Sequence, residues 1–168
     1  MASLSQIELL LPELRAYARS ISQSGHDAED LVHDAIERVL RSSAQPSKLD
    51  ELRPWFFRVI RNLNIDEFRK KRVRMEYFQA QSLAVTDLNQ HADHENDILC
   101  RLAFERLPAD AREVLFLVDI MGLKYSEAAE VMDVPVGTVM SRLSRGRRAL
   151  IGLVGDRNEN GSAMDGQK

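Results

Sequence analysis

Cysteine is almost absent: Cys100 is the only one in 168 residues, so no internal disulfide can form, in keeping with a reducing compartment. Long apolar runs are absent as well. Hydrophobic residues make up 44% of the chain, enough for cores, but nowhere do they reach the ~20 in a row that cross a bilayer. The start, MASLSQIELLLPELR, has neither the basic segment nor the small-residue cleavage site of a secretory leader. The expected location is the cytoplasm. Enzyme signatures are missing too, with no glycine-rich phosphate loop and no Ser/His/Asp or Cys/His pairing. His91 and His94 followed by Cys100 can be drawn as a metal site, but the stretch is irregular and lacks a fourth strong ligand. No catalysis, metal or cofactor is therefore expected.

What the chain does have is segregated charge. A net charge of −3 conceals two basic segments: residues 53–74 hold eight Lys or Arg against two acids, and residues 135–151 hold four arginines and no acid. Residues 1–52 and 75–134 are acidic. A chain that coated nucleic acid indiscriminately would be basic throughout, whereas two patches imply two separate contacts. Within the first patch Leu52, Trp55, Phe56, Val59, Ile60 and Leu63 recur every three or four residues, which places them on one face of a helix. Arg58, Arg61, Arg69, Lys70, Lys71, Arg72 and Arg74 project from the remainder. Such a helix reads as the wall of a bundle turned toward a polyanion.

Two helices precede it. Ile7, Leu10, Leu11, Leu14, Ala18 and Ile21 form a stripe that Pro12 should interrupt, giving a short turn and then a helix to about residue 22. Over residues 27–42, Ala28, Leu31, Val32, Ala35, Ile36, Val39 and Leu40 share one face. Asp30, His33, Asp34 and Glu37 share the other, a pattern that by itself reads as solubilising charge. Residues 42–51 form a polar loop. Three matching stripes make a helical bundle, the first domain, spanning 1–74. Residues 75–95 show no sustained period and read as a linker.

The second domain is expected over 96–155. One helix is marked by Ile98, Leu102 and Leu107, and another by Val114, Leu115, Leu117, Val118 and Met121, with Gly122 to end it. A helix-turn-helix follows. Its first helix, 126–132, has Ala128 and Ala129, small enough to let another helix cross closely; Asp133-Val134-Pro135 turns the chain. The second helix, 136–153, directs Val139, Leu143, Leu150 and Leu153 inward and Arg142, Arg145, Arg147 and Arg148 outward. Its start offers unpaired N–H groups, Gly137, Thr138 and Ser141 to phosphate. Arg145 is long enough to fork onto a guanine edge. Residues 156–168 read as a disordered tail. The fold class is all-α: two small helical domains joined by a flexible linker.

Three stretches now fall into one order: AEDLVHDAIERVL, then LRPWFFRVIRNLNIDEFRKKR, then LPADAREVLFL with KYSEAAEVMDVPVGTVMSRLSRGRRAL. In that order and spacing the chain resembles the extracytoplasmic-function (ECF, group IV) sigma factors of bacterial RNA polymerase, in the sigma-70 superfamily, over most of residues 1–155. The resemblance implies that residues 1–74 are region 2 and residues 96–155 region 4. It implies that Asp30, His33, Asp34 and Glu37 dock on the beta-prime clamp of the polymerase core, with region 4 meeting the beta flap. Arg58, Arg61, Asn62, Arg69, Lys70, Lys71 and Arg72 would face the minus-ten element, Asn62 and the 42–51 loop handling its unstacked base. Met140, Ser141, Ser144 and Arg145 would face the bases of the minus-35 element and Arg142, Arg147 and Arg148 its phosphates, with Thr138 also on the minus-35 surface. An anti-sigma factor and a stress response are implied partners of this kind of chain.

Two residues depart from the pattern. Met140 stands where several family members carry a basic residue, which alters the expected minus-35 preference. Gly146 weakens the middle of the recognition helix by about 1 kcal/mol relative to alanine, and close approach to a neighbour is its expected reason. The competing reading is a sigma-like decoy that binds an anti-sigma factor without directing transcription. Such decoys usually carry a receiver domain and need not keep DNA-facing arginines. A stand-alone helix-turn-helix regulator would leave the first domain unexplained.

Overall fold

The computed structural model describes residues 3–77 and 95–162, and the side chains of 3–74 and 100–155. Among the described residues every regular element is helical. Helix α1 (Leu4–Ile21) starts at Ser3, whose hydroxyl accepts the Gln6 N–H while the Gln6 side chain accepts the Ser3 N–H. Pro12 does not split it, contrary to the sequence expectation: it lies inside α1 at an exposed position. The carbonyl that loses its N–H partner belongs to Glu8, also exposed, so water replaces the missing donor.

Ser24 and Gly25 start the second helix, two residues before the expected 27. In α2 (Gly25–Arg41) the Ser24 hydroxyl accepts the Asp27 N–H at 3.0 Å. Asp27 in the first turn and Arg38 and Arg41 in the last suit the helix dipole. Ala28, Leu31, Val32, Ala35 and Val39 are buried, but Ile36 is half-buried and Leu40 is 46% exposed. The buried stripe is thus narrower than the periodicity suggests.

Helix α3 (Leu49–Tyr77) takes three residues from the expected polar loop, leaving 42–48. At 29 residues it is about 43 Å long. Leu52, Phe56 and Ile60 are fully buried as expected, and Trp55, Val59 and Leu63 pack half-buried against the core. Phe57, off the expected stripe, is fully buried too. Its ring lies 4.9 Å from that of Tyr17 on α1.

The remaining helices are α4 (Glu95–Glu105), α5 (Ala109–Leu115), α6 (Tyr125–Met132) and α7 (Val136–Ser162). A π-helical turn, Phe116–Ile120, prolongs α5, and Gly122 at φ 68° ends it as expected. The α6–α7 turn is made by Asp133 in the left-handed region, φ 54°. Val139 and Leu143 are buried beneath α7. α7 runs on to Ser162, where a tail was expected from 156.

Gly146 is buried, and a Cβ there would stand 3.2 Å from Leu115 Cδ1 and 3.5 Å from the Ala111 Cβ. The glycine lets α7 lie close on α5, the reason expected for it. Alanine would regain about 1 kcal/mol of helix propensity and lose a similar amount to crowding. We expect Gly146→Ala to change stability by less than about 1 kcal/mol and Gly146→Leu to cost about 1–3 kcal/mol, measured by urea unfolding; equal effects would discount the close approach.

The two halves share one core. α6 packs on α3, while α1 meets α5 and the π turn. Tyr17 is fully buried between Phe57 of α3 and Phe116 of the π turn, the latter ring at 6.2 Å.

Candidate functional site

Three surfaces carry the residues singled out by sequence. On α2, Asp30, His33, Asp34 and Glu37 are all exposed. The first three line a groove of about 320 Å³ between α2 and α3, together with Asp27, Glu67, Phe68 and Lys71. His26 approaches Asp30 at 3.5 Å and Arg41 pairs with Glu37 one turn away. This face remains predominantly acidic.

On α3, Arg58, Asn62, Arg69, Lys70, Lys71 and Arg72 are exposed, the last four around the end of the helix. Arg69 lies 3.8 Å from Asp66, Lys71 3.4 Å from Asp27, and Lys70 donates to Glu67 at 2.8 Å. That last bond holds the Glu67 carboxyl below its ordinary pKa and the Lys70 ammonium above its own. In the preceding loop, Gln45 donates from Nε2 to the Ser42 carbonyl at 3.2 Å while its Oε1 is buried with no partner.

Arg61 does not join the exposed row. Its side chain is 19% exposed, and its Nε donates to Glu113 Oε1 at 3.0 Å. The same oxygen accepts the Tyr17 hydroxyl at 2.8 Å. Burial, and then the Glu113 carboxylate, push the Tyr17 hydroxyl well above its ordinary pKa, so it stays a proton donor. Beside it, Arg53 donates to Glu13 and to the Met121 carbonyl. Tyr17 and Glu113 were not singled out by sequence.

On α7, Met140, Ser141, Ser144, Arg145, Arg147 and Arg148 are exposed and Thr138 and Arg142 half-buried. The helix orders part of this row itself: Ser141 Oγ donates to the Thr138 carbonyl at 3.0 Å and Arg145 Nε to the Ser141 carbonyl at 3.3 Å. Two of the arginines already face acids. Arg142 lies 3.5 Å from Asp110, and Arg147 grips Asp119 bidentately at 3.0 and 2.6 Å. Hydrogen bonding to Asp119 raises the Arg147 pKa. Tyr125, Met140, Leu143, Ser144, Arg147 and Arg148 line a shallow depression at this end.

His91 and His94 lie outside the described residues, and Cys100 is exposed and free. Among the described residues no group of three His, Cys, Asp or Glu is placed to hold a metal, and no helix is long and apolar enough to cross a membrane.

A helical bundle with an acidic face and a cationic face, followed by a helix-turn-helix with an arginine row, defines a transcription factor of the sigma type. Residues 6–74 match Sigma-70 region 2 and residues 100–150 match Sigma-70, region 4. The ECF RNA polymerase sigma factor EcfG of Rhodopseudomonas palustris (strain TIE-1) is 36% identical over 151 residues, covering 86% of this chain and 80% of its own. The sigma factor RpoE of Bartonella quintana, solved with the anti-sigma factor NepR, is 28% identical, with a TM-score of 0.69 over 90% of this chain and 95% of that one. The anti-anti-sigma factor PhyR of the same organism, complexed with NepR, shares the fold at 21% identity and a TM-score of 0.52, over 88% of this chain and 49% of that one. The chain belongs to the ECF RNA polymerase sigma factors, which direct core polymerase to promoters.

Proposed function

We propose that the exposed acidic face of α2 docks on the beta-prime clamp, that the α3 cations with Asn62 and the 42–48 loop hold the minus-ten element, and that α7 reads the minus-35 element while region 4 meets the beta flap. The observation that carries this reading is that three separate helices each expose a charged surface, one acidic and two cationic. Each grip is weak by itself. Polymerase makes the second contact intramolecular and raises its effective concentration. Opening a base step costs a few kcal/mol, offset by a pocket for the freed base and by cations along the displaced strand. No bond is hydrolysed.

An anti-sigma factor is the proposed inhibitor, acting by covering the polymerase- and DNA-facing surfaces. RpoE and PhyR, which share this fold, are both solved in complex with NepR. The decoy reading is disfavoured because the chain is 36% identical to the sigma factor EcfG over 86% of its length, and because Arg145 and Arg148 stay exposed on α7. The test is run-off transcription with core polymerase on a library of promoters from the source genome. We expect discrete products that depend on the added chain. Tight core binding without any product would establish the decoy.

A further inference from the structure

We propose that Met140 reads the 5-methyl group of a thymine in the minus-35 element, and that the Ser144 hydroxyl donates to the O4 atom beside that methyl. This deepens the role proposed above for α7 and rests on it.

Met140 lies in the second turn of α7 and is 53% exposed, although an apolar side chain gains nothing from water there. It lines a shallow depression with Tyr125, Leu143 and Ser144, and Arg147 and Arg148 line it further along the helix. Leu143 is only 2% exposed and Tyr125 40%, so an apolar floor and an aromatic wall stand beside the methionine. An apolar peptide would leave the arginines without a partner, whereas DNA offers a base edge to the depression and phosphates to the cations. Spacing agrees. Arg148 follows Met140 by eight residues, about 12 Å along the helix axis, and the major groove is about 8.5 Å deep. With Arg148 on a phosphate at the groove rim, Met140 reaches the base edges.

The hydrogen-bonding groups around Met140 decide which base it meets. A thioether has no proton to offer the N7 and O6 acceptors of guanine. Ser141 cannot supply one either, because its Oγ already donates to the Thr138 carbonyl at 3.0 Å. Ser144 differs: its Oγ accepts from Arg148 Nη2 at 3.5 Å, which leaves its own proton free. Four residues apart, Met140 and Ser144 are neighbours on one face of α7. An apolar group beside a free donor complements thymine, whose major-groove edge carries a methyl next to the O4 acceptor. Cytosine shows an amino donor and no methyl, and adenine shows N7 and an amino group.

The test uses holoenzyme reconstituted from core polymerase and the full chain, bound to a promoter that it transcribes. Each thymine of the minus-35 element, on both strands, is replaced in turn by uracil, which lacks only the methyl. Cytosine and 5-methylcytosine, each opposite guanine, are then compared at the same positions. We expect one position at which uracil weakens binding about fourfold, the transfer value of a single methyl group, and at which 5-methylcytosine binds better than cytosine by a similar factor. Both differences should vanish in Met140→Ala, with helix content unchanged by circular dichroism. In Ser144→Ala the thymine–uracil difference should remain while the preference for thymine over 5-methylcytosine falls. Uracil tolerated at every position, or a uracil penalty that survives Met140→Ala, overturns the methyl contact. A preference for thymine over 5-methylcytosine unchanged in Ser144→Ala overturns the hydroxyl contact. Scrambling the whole minus-35 element separates the underlying function: if binding is unchanged, α7 does not read that element and both readings fail, whereas a loss on scrambling with none on uracil removes the methyl contact alone.

Discussion

Phe57→Ala is expected to remove about 3–5 kcal/mol of unfolding free energy. The ring is fully buried, stacks at 4.9 Å on the equally buried Tyr17, and lies under the Arg53 guanidinium at 5.8 Å. Truncation loses the transfer energy of the ring, leaves a cavity and takes away the aromatic neighbour of the Tyr17 hydroxyl bond. Phe68 on the same helix is 41% exposed, so Phe68→Ala should stay within about 0.5 kcal/mol. Urea unfolding of both variants checks the pair. A loss below about 1 kcal/mol for Phe57→Ala would mean that Phe57 is not fully buried in solution.

That contrast shows what the sequence could and could not reveal. The turn and the helix starts of the helix-turn-helix were legible almost to the residue, since their signals are local: small Ala128 and Ala129, the Asp133-Val134-Pro135 turn, and the arginines of α7. The α3 stripe was legible for one face only. Periodicity assumes that a helix buries a single side, whereas α3 is packed by α1, α2 and α6 together, so Phe57 fell outside the expected stripe. Leu40 was misread in the opposite sense: it lies past the edge of the α2 stripe and is 46% exposed, while Val39 beside it is fully buried. Pro12 was taken as a break because the rule concerns the lost donor and not where the orphaned carbonyl points.

The site residues divide in the same way. Exposure of the acidic row on α2 and of most cations on α3 and α7 follows from their helical position, which sequence provides. What sequence does not provide is which cations already have a partner within the fold. Arg61, Arg142 and Arg147 face Glu113, Asp110 and Asp119, residues 52, 32 and 28 positions away. Pairings at that separation depend on how the two units and their helices pack, and no local pattern encodes them.

This division changes the expected behaviour of region 4 on DNA. Three free arginines on phosphates, Arg142, Arg147 and Arg148, would give a slope of log affinity against log salt near −2.7, but with Arg142 and Arg147 held by acids the slope should be nearer −0.9, about 0.9 per phosphate contact. Arg145 is the residue whose loss should alter selectivity. It is exposed, tethered only by its Nε to the Ser141 carbonyl at 3.3 Å, and free to turn its two terminal nitrogens toward a guanine edge. We expect Arg145→Ala in reconstituted holoenzyme to cost about 1–3 kcal/mol, roughly 5- to 150-fold, on the preferred minus-35 sequence, and much less on sequences altered at the contacted base, with core binding unchanged. Arg148→Ala should instead weaken every sequence alike and flatten the salt slope by about 0.9. Binding of a minus-35 base-substitution series by each variant at several salt concentrations separates the two roles. If Arg145→Ala lowered affinity uniformly across the series, Arg145 would be a phosphate contact, and base reading would fall to Met140, Ser141 and Ser144.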